Sequence, residues 1–204
     1  MVTNPRRRRS DGERSRAAIL REAARLATVE GLDGLSLSRL ADAVGMSKSG
    51  LFAHFGSKEE LQLATVEAAG AIFDELVIDP AGAATPGVSR LQAYIHGFLE
   101  HVQEGVFPGG CFFVSAMGEL DTHPGPVRDS AMAFSQRWLT LLADAVASAQ
   151  AAGELDPAAD PAQVAFELHA YMVLGNLQFV ASSDRAFLDR VRRAVDTRLG
   201  ALAV

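Results

Sequence analysis

Residues 36–58 read SLSRLADAVGMSKSGLFAHFGSK, and the spacing predicts two short helices joined by a tight turn. Leu37, Leu40, Ala41 and Val44 recur at helical intervals, so the first helix has one apolar face. Ser36 is placed to cap its start by accepting from an otherwise unpaired backbone N–H. Gly45 ends it, because a helix often finishes in a left-handed residue that glycine adopts at little cost. Ser47 then caps a second helix whose exposed start carries Lys48, Ser49 and Gly50. Leu51 and Phe55 lie four apart and face inward, and Ala41 is small enough for the two helices to cross closely. This is the pattern of a helix-turn-helix, whose second helix enters the DNA major groove. An ordinary helical hairpin in a core is the competing reading, but it would not need the polar cluster from Ser47 to Gly50.

Outward from this motif the chain reads as helical throughout. Its 204 residues suit one or two domains, with 49% hydrophobic and 22% charged residues. The single cysteine excludes an internal disulfide framework and points to a cytoplasmic protein. No apolar run approaches the length of a bilayer span, about 18 residues. Met1 to Arg9 is basic with no apolar stretch behind it, unlike a secretory signal.

The net charge of −6 looks unsuited to DNA, but it is unevenly placed. Residues 1–60 hold 11 basic and 8 acidic side chains, a net of +3, whereas residues 61–204 hold 8 and 17, a net of −9. DNA affinity follows the local surface that faces phosphate rather than the total.

Residues 1–9 are expected to be a flexible Arg-rich arm, and Ser10 with Glu13 forms a capping-box pattern for a helix reaching Glu30. Ser57 with Glu60 forms a second, opening a helix toward Val77 that Asp79-Pro80 and the segment through Gly87 should stop. Further helices are expected over 89–104, 127–152, 161–181 and 184–200. Cys111 to Leu120 is a shorter apolar segment, ambiguous between strand and helix over Cys111–Val114. The expected fold is all-α: a DNA-binding unit over 10–60 and a larger helical unit over 61–204.

Ile19 to Leu61 resembles the DNA-binding domain of the TetR family of bacterial transcriptional regulators. The resemblance rests on Ala23-Ala24, Leu35-Ser36-Leu37, Leu40-Ala41, the run from Gly45 to Leu51, His54-Phe55 and Ser57 to Leu61. It implies a homodimer on a palindromic operator, with the last two helices pairing across the dimer. It also implies a small molecule that enters the larger domain and releases DNA. One departure stands out: the family usually has Tyr where this chain has Phe52, and Phe lacks the hydroxyl that would contact phosphate. Phe52 is left to pack or to touch a sugar or a thymine methyl.

The candidate DNA-contacting residues are Ser36, Ser47, Lys48, Ser49, Gly50, Phe52, His54 and Lys58. Ser36 either caps only or also offers its helix start to a phosphate. Lys48 reads guanine or holds phosphate, and Gly50 lets backbone approach a base. His54 binds phosphate or is merely solvated, and Lys58 adds charge at a helix start. Arg6 to Arg9 either lie along a groove or form a solubilising tail.

Candidate ligand-lining residues interleave aromatic and polar groups: Tyr94, Phe98, Phe113, Met117, Phe134, Trp138, Tyr171 and Asn176. Plain core is the alternative at each position. Val164, Leu168, Tyr171, Met172, Gly175 and Phe179, with Phe187, Leu188, Val191, Val195 and Leu199, form apolar stripes suited to a symmetric dimer interface. His96 and His101 are five apart and, with Glu119 and His123, only weakly suggest a metal; no metal, cofactor or catalytic residue is expected. Cys111 reads as a buried hydrophobe rather than a redox sensor. The competing functions are an activator of the same family, a helical enzyme using Cys111 or a His, and a ligand-binding module whose DNA head is vestigial.

Overall fold

The computed structural model describes residues 5–120 and 124–204, with the side chains of Arg6 to Arg9 outside the described residues. The fold is all-α. Its helices are α1 (Pro5–Glu30), α2 (Leu37–Val44), α3 (Lys48–Phe55), α4 (Lys58–Phe73), α5 (Asp79–Gly82), α6 (Val88–Gln103), α7 (Phe112–Leu120), α8 (Pro126–Ala151), α9 (Pro161–Ser182) and α10 (Ala186–Gly200). Among the described residues the nearest thing to a strand is one isolated bridge, Leu155 to Ala203.

Helix α1 packs on α2, α4 and α7, while α4 continues onto α8, so one buried helix runs from the head into the body. The core is continuous from Ile19 to Leu202. Among the described residues no helix is long and apolar enough to cross a membrane.

Several expectations are corrected. Helix α1 begins at Pro5, so Ser10 lies inside the helix rather than capping it, and residues 5–9 are helical rather than irregular. Proline suits a first helical position, and the arginines that follow are good helix formers. Asp79-Pro80 does not end the helix that starts at Ser57. The chain instead takes a wide π-helical turn over Asp74–Ile78 and continues as α5, with Pro80 in the first turn. The turn widens the ladder just where Pro80 has no N–H to donate. The Cys111–Val114 run is helical from Phe112.

The apolar stripes of the last two helices are also reassigned. Val164, Leu168, Met172 and Gly175 of α9, and Leu188, Val191, Val195 and Leu199 of α10, are buried within the single chain. Helix α9 lies between α8 and α10, and a Cβ on Gly175 would strike the Val191 side chain. The apolar face that α9 leaves exposed is a different one: Phe166, Leu174, Leu177 and Val180.

Candidate nucleic-acid interface and effector region

Three serines set the helix starts of the head. The Ser36 hydroxyl accepts from Arg39 N–H at 3.2 Å, Ser47 from Gly50 N–H at 3.1 Å, and Ser57 from Glu60 N–H at 3.1 Å. Each satisfies one backbone donor that the first turn leaves without a helical partner. Gly45 closes α2 at φ +67°, and Met46 N–H reaches back to Ala41 O at 2.9 Å. That geometry makes the turn tight enough for α3 to cross α2.

Helix α3 divides cleanly. Leu51 and Phe55 are buried, while Lys48, Ser49, Phe52 and His54 are exposed and Gly50 is half-buried. Phe52 is 55% exposed, an unusual position for a large apolar ring. Ser47 and Ser49 share a hydrogen bond at 3.2 Å, and His54 leans against the Phe55 ring. The candidate contacts on α3 are thus spread over the part of the helix that Leu51 and Phe55 leave uncovered, with exposed Ser36 at the start of α2. Lys58 differs: its ammonium donates to Asp33 O at 2.7 Å and pairs with the Asp33 carboxylate at 3.4 Å. A phosphate there would have to share it. Arg39, which the sequence pattern did not single out, is held by Glu30 through Nε at 2.9 Å and a second nitrogen at 2.8 Å. Its hydrogen bond to Glu30, then the charge of Glu30, raises its pKa above the ordinary arginine value.

The head is tied to the body by contacts that no local pattern announces. Glu119 of α7 accepts from Leu32 N–H and Asp33 N–H, both at 2.6 Å. Gln62 donates to Leu32 O at 2.8 Å from the start of α4. Gly109 N–H donates to Thr28 Oγ1 at 3.1 Å, and a Cβ on Gly109 would collide with the Thr28 carbonyl.

In the body, Phe98, Phe113, Phe134 and Trp138 gather around Phe73, a ring absent from the sequence candidates, and Tyr94 meets Trp138 at 5.6 Å. Trp138 is 5.2 Å from Phe73 between ring centroids and Phe134 is 5.5 Å away, both edge-on. Met117 is half-buried on α7. The other two candidates lie apart. Tyr171 lines a hollow of about 410 Å³ with Arg193, Thr197 and Arg198. Asn176, 1% exposed, accepts from Cys111 N–H at 2.8 Å. Cys111 is buried, and desolvation pushes its thiol up to about 11, which leaves little thiolate at neutral pH. A second hollow of about 400 Å³ opens between α4 and α8, lined by Val66, Gly70, Asp74, Phe134 and Arg137 among others.

Those residues weighed for a metal that the structure describes have other surroundings. His96 pairs with Glu100 at 3.1 Å, His101 is buried among rings, Glu119 holds the head, and His123 lies outside the described residues. Among the described residues no group of three or more His, Cys, Asp or Glu side chains is placed to hold an ion.

No curated protein matches the sequence. Solved structures do. A TetR transcriptional regulator from Chloroflexus aurantiacus superposes with a TM-score of 0.87 at 23% identity, covering 95% of this chain and 98% of that one. A TetR-family regulator from Cytophaga hutchinsonii gives 0.82 at 23% identity, covering 94% and 96%. AibR, solved with isovaleryl coenzyme A and operator DNA, gives 0.70 at 25% identity, covering 92% and 98%. Residues 19–65 match the family model for bacterial regulatory proteins of the tetR family. Residues 87–195, more than half the chain, match that for the tetracyclin repressor-like C-terminal domain, so the protein belongs to the TetR family of transcriptional regulators.

Proposed function

We propose that this regulator is a repressor that binds a palindromic operator as a homodimer and leaves it when a small, mostly apolar molecule enters its larger helical unit. The observation that carries the reading is the two-sided α3, which is anchored by Leu51 and Phe55 and turns Lys48, Ser49, Phe52 and His54 outward beside two serine-capped helix starts. Residues 10–60 form the reading head, to which the start of α1 is added, and residues 61–204 form the effector and dimerisation unit. Ser36, Ser47, Lys48, Ser49, Gly50, Phe52 and His54 face DNA, and Lys58 joins them only by sharing its partner Asp33. AibR was solved with both an acyl thioester and operator DNA, which supports a fold that holds effector and DNA in one chain.

Selection of genomic fragments by the purified protein, followed by footprinting at physiological salt, tests this reading. A protected palindrome with half-sites about one helical turn apart is expected. Binding that is only nonspecific and salt-sensitive would sink it. On the selected site, Lys48→Ala should weaken binding by about 1–3 kcal/mol if Lys48 reads a base. A loss equal on all sequences, with a shallower salt dependence, would assign it to phosphate instead. An unchanged affinity removes it from the interface.

The dimer face is assigned to Phe166, Leu174, Leu177 and Val180, which share one exposed side of α9. Leu177→Arg would bury an unpaired charge there and should cost about 3–5 kcal/mol of association. Sedimentation should then give a folded monomer with weak operator binding. A Leu177→Arg protein that stays dimeric would move the interface elsewhere.

A further inference from the structure

The two phenylalanines of α3 stand in opposite surroundings. Phe55 is buried, with the Arg16 guanidinium over its ring at 5.2 Å, whereas Phe52 leaves 55% of its surface open. The other exposed residues of α3 are Lys48, Ser49, Ala53 and His54, so Phe52 is the one large apolar side chain that this helix turns outward. On an ordinary surface a single exposed apolar residue needs no explanation. On a helix that enters the major groove it does, because DNA covers that surface on binding.

Phe52 follows Lys48 by four residues and Ser49 by three, so the three share one side of the helix. At a rise of about 1.5 Å per residue, Phe52 stands about 6 Å further along the axis than Lys48. That is close to two base pairs, at about 3.4 Å each. Its other neighbours in sequence are small: Ser49 and Gly50 come before it and Ala53 follows. Small side chains let the helix backbone come close to the base edges, which brings the longer ring within reach of them.

The chemistry of the groove then selects what the ring meets. The major-groove edges of guanine, adenine and cytosine present hydrogen-bond donors and acceptors, and thymine adds one apolar group, its C5 methyl. A phenyl ring has no donor or acceptor. Against a polar edge it would strip water from a group and give no bond in return. Against the methyl it buries apolar surface on apolar surface. A phosphate offers the ring nothing, because Phe52 lacks a hydroxyl.

We propose that Phe52 reads the C5 methyl of one thymine in each operator half-site, within about two base pairs of the point where Lys48 meets the DNA. The proposal rests on the DNA-binding reading above and adds to it a base preference and the residue that sets it.

The test uses the footprinted site from fragment selection, with each thymidine in turn replaced by deoxyuridine, which removes the methyl and nothing else. Affinities are measured for the wild type, Phe52→Ala and Phe52→Tyr at a salt concentration where all three bind. At one thymine of each half-site, uracil should weaken the wild type about fourfold, the worth of one buried methyl, and about fifteenfold when both halves are changed. Phe52→Ala should bind the thymine and uracil forms of that position alike, while Phe52→Tyr, which keeps the ring, should keep the preference. The difference between the variants isolates the contact from any effect of uracil on the DNA itself. The proposal is overturned if no uracil replacement weakens the wild type, or if Phe52→Ala keeps the same uracil cost. A Phe52→Ala protein that loses affinity equally on both forms while keeping that cost would place the ring on a sugar instead. A specific site that lacks the methyl dependence ends this proposal alone. Selection that yields no specific site ends the DNA-binding reading and this proposal with it.

Discussion

Leu51→Ala is expected to cost about 3–4 kcal/mol and to abolish specific DNA binding. Leu51 is fully buried, in one core with Leu40 and Ala41 of α2, Ala23 and Ala24 of α1, and Phe55 one turn further along α3. Removing three carbons, the Cγ methine and two methyls, loses their transfer energy and leaves a cavity, because short capped helices on a tight turn cannot easily close around it. Helix α3 has eight residues, too few to persist without that packing. The neighbouring Phe52→Ala is the control. That ring is 55% exposed, so its loss should change stability by no more than about 0.5 kcal/mol while altering DNA affinity. Urea unfolding of both variants, with binding to a selected site, measures the contrast. A cost below about 1 kcal/mol for Leu51→Ala, or equal costs for both, would mean that α3 is not anchored as described.

This contrast also marks what the sequence could reveal. The helix-turn-helix was legible because its signals are local. Each cap and the N–H that donates to it lie within three residues, as Ser47 and Gly50 do, and Gly45 holds its left-handed conformation beside the turn it makes. The faces of α9 were not legible in the same way. Apolar residues occur on both sides of that helix, so periodicity alone could not say which side α8 and α10 would cover. Most residues of the expected dimer stripes are ones the chain buries itself, while Tyr171, Phe179 and Phe187 are half-buried and the exposed stripe from Phe166 to Val180 lies outside that pattern. Asp79-Pro80 reads as a stop because proline lacks an amide donor, yet a π-helical turn carries the chain past it. Most of the aromatic candidates meet in one cluster, but its centre, Phe73, lies on a helix whose pattern gives no hint of it. His101 was weighed as a metal ligand because spacing to His96 was visible, whereas its unmet nitrogens appear only once the rings have closed around it.

Glu119→Ala is expected to remove about 2–3 kcal/mol and to loosen the head from the body. The Glu119 carboxylate is the acceptor for Leu32 N–H and Asp33 N–H, two donors just past the end of α1 and 86–87 residues away in sequence. Hydrogen bonds to a charged acceptor are stronger than neutral ones, and here two share one side chain. The same loop is held from the other side by Gln62 on Leu32 O and Lys58 on Asp33 O. It therefore joins α7 of the body to α4 at the point where the chain turns into the reading helices. The tie continues backward, since Thr28 accepts from Gly109 N–H and Asn176 of α9 accepts from Cys111 N–H, two residues on. The end of α1 is thus linked by hydrogen bonds to α7 and, through the Gly109–Cys111 segment, to α9. Without Glu119, the Leu32 and Asp33 amides should exchange with solvent faster, and affinity for a selected operator should fall although no DNA-facing residue has changed. Glu119→Gln keeps only one acceptor and should fall between the wild type and the alanine variant. Glu100→Ala, which removes an exposed pairing with His96 on α6, should leave exchange at Leu32 and Asp33 as it was. Unchanged protection of both amides in a folded Glu119→Ala protein would show that the remaining contacts hold this loop and that the Glu119 carboxylate does not position the head.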